Sequence, residues 1–248
     1  MTTVSSVDRP REMSARTKGR FAGAVYLLYI LLGVYAQGFV SDRLIVFSNA
    51  TTTASNILAN QSTYRLGLTV YLLEMAGQIA TAVLFYQLLK PVSRTGAMLS
   101  AAFELTGCGI KTFSRLFYFV PLLVLSRSAS YLSAFNNEQV DSIALLLLRL
   151  NDNGAAIAMG FFGFSTLIQG WLIYRSGFLP RWLGVLAMLA GCGWLTFLSP
   201  PLGMRLFQYL ALFALVGVVA MIGWLLTVGI DEQRWRLRAA EATASMWA

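Results

Sequence analysis

The chain is 248 residues long, 57% hydrophobic and only 12% charged, and its 19 basic against 11 acidic residues give a net charge of +8. Soluble domains carry about 25% charged residues, so this composition is that of an integral membrane protein and excludes an ordinary soluble enzyme. Histidine is absent altogether, which excludes histidine-type zinc sites, histidine-ligated haem, multi-histidine iron and Ser-His or Cys-His nucleophile pairs.

Residues 1–20 are polar and basic, without the apolar core or small-residue cleavage site of a signal peptide, and read as a disordered cytoplasmic tail. A spanning helix needs about 20 apolar residues. Six segments qualify: 21–41, 64–90, 96–122, 155–174, 182–199 and 204–229, the fifth being short enough to be little tilted or re-entrant. The membrane domain is thus 21–229, and 230–248 is a second cytoplasmic tail. Between the first two spans, 42–63 look amphipathic, with Asn49 placed to cap a short helix carrying Ala50, Ala54, Ile57 and Leu58 on one face. A second such stretch, 129–150, sets Tyr131, Leu132 and Phe135 before the capping pair Asn136 and Asn137, then runs to a break at Asp152-Asn153-Gly154. Both stretches read as interfacial helices over the outer mouth of the bundle, either a lid or plain connectors. The fold class is all-α: a polytopic bundle of six transmembrane helices with two outer interfacial helices.

Cytoplasmic loops carry the excess of Lys and Arg, which tests the span count. Twelve basic residues fall on one side: Arg9, Arg11, Arg16, Lys18, Arg20, Lys90, Arg94, Arg175, Arg181, Arg234, Arg236 and Arg238. Five fall on the other: Arg43, Arg65, Arg127, Arg149 and Arg205. Both termini are therefore expected in the cytoplasm, with the chain in a bacterial cell membrane. The positive charge is topological, meets anionic lipid, and calls for no nucleic-acid partner.

The two remaining basic residues, Lys111 and Arg115, lie inside the third span. Glu104, Cys108, Lys111 and Arg115 recur at i, i+4, i+7 and i+11, so they share one helical stripe. At 1.5 Å per residue, Lys111 and Glu74 of the second span both fall about 4–5 Å outside the midplane. Each alone would cost about 2.5–3.5 kcal/mol to insert, so a Glu74–Lys111 pair is expected. Arg115 sits about 10 Å outside the midplane, level with Tyr71 and close to Gln37, and Glu104 about 6 Å inside, level with Gln169. Gln78 and Asp152 complete the polar set. Gly154, Gly160, Gly163 and Gly170 read as close-packing positions, and Cys108 and Cys192 as free thiols in apolar segments. No phosphate loop, metal-spacing motif or nucleophile elbow is present, and no cofactor is implied.

RFAGAVYLLYILLGVYAQ at 20–37, LIVFSNATTTASNILAN at 44–60, YRLGL at 64–68, LLKPVSR at 88–94, YLSAFNNEQVDSIALLLLRLNDNG at 131–154 and FFGFSTLIQGWLIYRSGFLPRWLGVLAMLAG at 161–191 resemble a bacterial and archaeal family. It comprises six- or seven-helix membrane proteins classed as domain of unknown function 4386. YRSGFLPRWLGVL is the most specific part. The resemblance covers 20–229, supports the spans and implies no reaction. Its members often carry His-Asp where this chain has Asn151-Asp152, so the resemblance transfers no chemistry to that position.

Three functions fit the residues. A membrane-embedded enzyme or binding protein for a lipid or isoprenoid-like ligand would use Glu74 or Glu104 as proton donor or acceptor. Lys111 and Arg115 would then hold an anionic head or polarise a carbonyl, and isomerisation, cyclisation or hydrolysis would be open to it. A small proton-coupled transporter, export or immunity protein would use Glu74–Lys111 as a switch, although no internal repeat is visible and a homodimer would have to supply the missing half. A structural subunit would use the pair as glue, with membrane lipids its only small-molecule partners.

Overall fold

The computed structural model describes residues 13–126 and 130–244. Arg9, Arg11 and Arg127 lie outside the described residues, as does the side chain of Tyr131. The regular structure described is all helical: α1 (Ala15–Leu44), α2 (Ala50–Ala59), α3 (Gln61–Leu89), α4 (Arg94–Leu125), α5 (Asn137–Ser176), α6 (Arg181–Leu198), α7 (Pro200–Thr227) and α8 (Glu232–Ala244). Six of these, all but α2 and α8, are long and apolar enough to cross a membrane. They coincide with the six expected spans, including the short fifth.

α1 begins six residues ahead of the expected span because the Ser14 hydroxyl accepts from the Thr17 amide at 3.1 Å and caps it. Its far part, Tyr35–Ser41, is π-helical, a conformation that inserts an extra residue into the helical turn. α2 is the expected short helix, capped by Asn49 accepting from the Thr52 amide at 2.9 Å. It turns Thr53, Ala54 and Ile57 inward, whereas Leu58 is exposed.

The second amphipathic stretch is not a separate interfacial helix. Asn136 caps α5 in a reciprocal capping box with Gln139, and the helix then runs unbroken for 40 residues, through Asp152-Asn153-Gly154. Two contacts hold the helix through this point: Asn151 accepts from Arg115 and donates to Asp152. Gly154 gives up its side chain to the Ser114 hydroxyl of α4. At 1.5 Å per residue α5 is about 60 Å long, twice the hydrocarbon thickness. Leu172 and Ile173 near its C-terminus pack level with Leu88, Leu89 and Ala97 at the α3–α4 turn, so it is the N-terminal part that projects. There Val140, Ala144 and Leu148 close an apolar cluster with Ala54 and Ile57 of α2. The interfacial stretches thus form a packed cap at this far end.

The opposite end is basic. Arg16 and Arg20 of α1 donate to the carbonyls of Val228 and Thr227 after and at the end of α7. Trp235 of α8 donates to Leu88 O at 2.9 Å, and Arg234 to Gly177 O at 3.0 Å. Both described ends of the chain therefore lie on one side of the bundle, as an even number of spans requires.

α5 and α6 meet backbone to backbone. Gly170 and Gly184 face each other so closely that a Cβ on Gly184 would lie 2.6 Å from both the Gly170 carbonyl oxygen and the Tyr174 amide nitrogen. Small residues are what permit such approach in lipid. Gly184→Ala is accordingly expected to force the helices apart and destabilise the fold by about 1–3 kcal/mol, the usual range for overpacking. Gly217→Ala, whose methyl would meet only the Leu186 Cβ at 3.7 Å, should change nothing. Thermal unfolding of both variants in detergent checks this.

Candidate functional site

α3 and α4 form a hairpin whose turn, at residues 90–93, ends with the Ser93 hydroxyl capping α4 through the Gly96 amide at 3.1 Å. Across this hairpin two polar stripes meet. On α3 the stripe reads Gln78, Glu74, Tyr71, Tyr64, and on α4 it reads Glu104, Lys111, Arg115, Tyr118. Residue numbers fall on one helix as they rise on the other, so the stripes form a ladder. Its rungs are Gln78 Nε2 donating to Glu104 Oε1 at 2.6 Å, and Lys111 Nζ to Glu74 Oε1 at 2.7 Å. Beyond them come Arg115 stacked 3.6 Å over the Tyr71 ring and Tyr64 stacked 4.4 Å on Tyr118. The expected Glu74–Lys111 pair is present, with 8% of the Glu74 and 12% of the Lys111 side chain exposed.

The last two rungs belong to a network beneath the far-end cap. Arg115 is buried and donates to Asn151 Oδ1 at 3.0 Å, and Asn151 donates onward to Asp152 at 3.1 Å. Tyr71 donates to Gln37 Oε1 at 2.8 Å, and Gln37 donates to Asp42 at 2.8 Å. The Ser41 hydroxyl bonds Tyr71 at 2.9 Å, and the Tyr64 hydroxyl donates to the Tyr118 carbonyl. Gln37 and Ser41 both lie in the π-helical segment of α1 and, four residues apart, share the face that meets Tyr71.

On the basic-end side of this network lies a cavity of about 380 Å³. Its two walls differ. Gln78, Glu74, Lys111, Glu104, Ser165, Thr166 and Gln169 of α3, α4 and α5 make a polar wall, flanked by Tyr26 and Tyr29 of α1. Leu183, Leu186, Ala190 and Trp194 of α6 with Ala211, Ala214, Val218 and Met221 of α7 make an apolar one. Gly33 of α1 stands against the Glu74 carboxylate, where a Cβ would lie 3.1 Å from Oε1. Val34 and Leu215 line the cavity while remaining 53% and 45% exposed, so it reaches the bundle surface between the middle of α7 and the facing part of α1. Gly19 and Gly23 of α1 pack against Ile230, Leu225 and Leu226 instead at the basic end.

Of the sequence-derived residues, Glu74, Gln78, Glu104, Lys111, Gln169 and Gln37 line the cavity. Glu104 and Gln169 share it without bonding each other. Arg115, Tyr71 and Asp152 do not line it; they belong to the network above. Tyr118 was legible, continuing the α4 stripe at i+3 from Arg115. Tyr26, Tyr29 and the α6–α7 wall carried no signal, because apolar residues in an apolar span do not announce which face is internal. Among the described residues no group of three or more Cys, Asp or Glu is placed to hold a metal ion.

Residues 21–229 match the sequence profile of DUF4386, a domain of unknown function. An uncharacterized protein of Archaeoglobus fulgidus is 28% identical over 154 residues, covering 61% of this chain and 76% of that protein. No solved structure matches the chain.

Removing one partner of a buried ion pair strands the other charge, at about 3–5 kcal/mol, whereas replacing both by neutral groups of similar size is close to neutral. Lys111→Met and Glu74→Gln should each destabilise the protein by that order, and the double variant should recover most of the loss. A double-mutant cycle of unfolding in mixed micelles reads the coupling directly.

Proposed function

The chain belongs to the DUF4386 family, and from that premise we propose that it is a membrane-embedded protein that binds a lipid- or isoprenoid-like amphiphile in the cavity between α1 and α3–α7. The observation that carries this reading is the division of one cavity into a charged wall and a hydrocarbon wall. A volume of 300–1,000 Å³ is usual for a small-molecule site. A head group would rest against Gln78, Glu104 and Gln169, with the chain along α6 and α7. The exposed apolar rim at Val34 and Leu215 gives such a molecule a route in from the membrane rather than from water.

Any chemistry would be proton transfer. Lys111 is engaged by Glu74, whereas Glu104 is held by neutral groups, the Gln78 amide and the Ser165 hydroxyl, so Glu104 is the carboxylate free to exchange a proton with a bound head. The protein would sit in the cell membrane with both termini cytoplasmic. The gathering of Arg16, Arg20, Arg175, Arg181 and the basic face of α8 at one end of the bundle supports that orientation.

Native mass spectrometry with lipid analysis of the detergent-extracted protein tests the binding. One discrete lipophilic molecule is expected to accompany the wild type and to be lost in Ala214→Phe, which fills the apolar wall and leaves the ion pair in place. No retained molecule, or the same bulk lipid in both, would leave Glu74–Lys111 as a structural clamp alone. Reporter fusions at each terminus check the orientation, and activity on the non-cytoplasmic side would overturn it.

A further inference from the structure

We infer that the head group this cavity accepts is a protonated amine, so that the ligand is a cationic amphiphile; the inference rests on the amphiphile reading above and names its chemistry. The charged side chains that line the cavity are Glu74, Glu104 and Lys111: two carboxylates against one ammonium. The ammonium is already committed, 2.7 Å from Glu74 Oε1. Glu104 forms no ion pair; its hydrogen-bond partners are neutral, the amide of Gln78 at 2.6 Å and the Ser165 hydroxyl. Arg115, the residue that would reverse this balance, points elsewhere, onto Asn151 and the Tyr71 ring.

Glu74 supplies an independent observation. The residue is 6% exposed, and its second oxygen, Oε2, is buried without a hydrogen-bond partner. A buried acceptor of this kind calls for a donor. An alkylammonium head brings N–H donors together with the missing positive charge. A carboxylate or phosphate head brings neither, and would add a third negative charge to the wall. The remaining surfaces agree with this choice. Tyr26 and Tyr29, stacked at 5.1 Å, and Trp194 line the same cavity, and aromatic faces attract cations through their quadrupoles. The apolar wall then takes the hydrocarbon chain, as it would for any amphiphile. Charge selectivity is therefore the property that separates this inference from the broader one.

The test uses the full chain in a non-ionic detergent and three probes of equal chain length, decylammonium, decanol and decanoate, with binding read by native mass spectrometry at neutral pH. Wild type is expected to prefer decylammonium over either of the others by about tenfold or more, equivalent to about 1.4 kcal/mol. Glu104→Gln, with folding verified by thermal unfolding, is expected to bring that preference below about threefold. Should that variant fail to fold, the wild-type preference decides alone. Decanol or decanoate binding as well as decylammonium, or an unchanged preference in folded Glu104→Gln, would overturn the amine assignment and leave the amphiphile reading standing. Binding of none of the three would remove both.

Discussion

The Glu74–Lys111 ion pair is the constraint around which the bundle is organised. Neither charge is tolerable alone at that depth in hydrocarbon, and a separation of 2.7 Å is reached only if α3 and α4 keep one rotation and one register. Once that register is set, Gln78 meets Glu104 a turn toward the basic end, and Tyr71 meets Arg115 a turn toward the cap. The two stripes also turn the flanking faces outward, which is why Leu72, Leu73, Phe113 and Leu116 stand exposed to lipid. α1 conforms to the same pair: it carries glycine where the Glu74 carboxylate needs room.

Against this charged hairpin the remaining helices pack by shape. α5 and α6 are joined through glycines with their backbones in contact, and α7 contributes almost nothing polar. The cavity forms where these two ways of packing meet. It has a charged side because α3 and α4 must keep their ladder, and an apolar side because α6 and α7 have no such demand. The interior is therefore amphipathic as a direct result of how the charges are distributed over the chain.

How much of this was legible follows the same division. Spans, their number and the Glu74–Lys111 rung were readable, since hydropathy over 20 residues and helical spacing of charges are both local quantities. The Asn49 cap of α2 was readable for the same reason. The expected break at Asp152-Asn153-Gly154 was wrong because turn propensity is a local signal that tertiary partners, Arg115 and Ser114, override. Arg115 was placed at the right level beside Tyr71, but which side of that level it faces depended on Asn151, a residue from another helix. The π-helical stretch of α1 and the apolar wall of the cavity left no local trace at all.

The hairpin geometry also bears on how the chain enters the membrane. Glu74, Gln78, Glu104 and Lys111 find their partners within 26 to 37 residues, inside one pair of consecutive helices. α4 presented singly to lipid would expose Glu104, Lys111 and Arg115 without partners, whereas the α3–α4 pair already joins Lys111 to Glu74 and Glu104 to Gln78 and leaves the Arg115 contact to Asn151 to be made by α5. The hairpin is thus the smaller unit in which these charges are already partnered, and α4 is costlier in hydrocarbon without α3 than beside it. Arg115 is the charge of this hairpin whose partner lies outside it, on α5, so that one contact ties the charged hairpin to the second half of the chain.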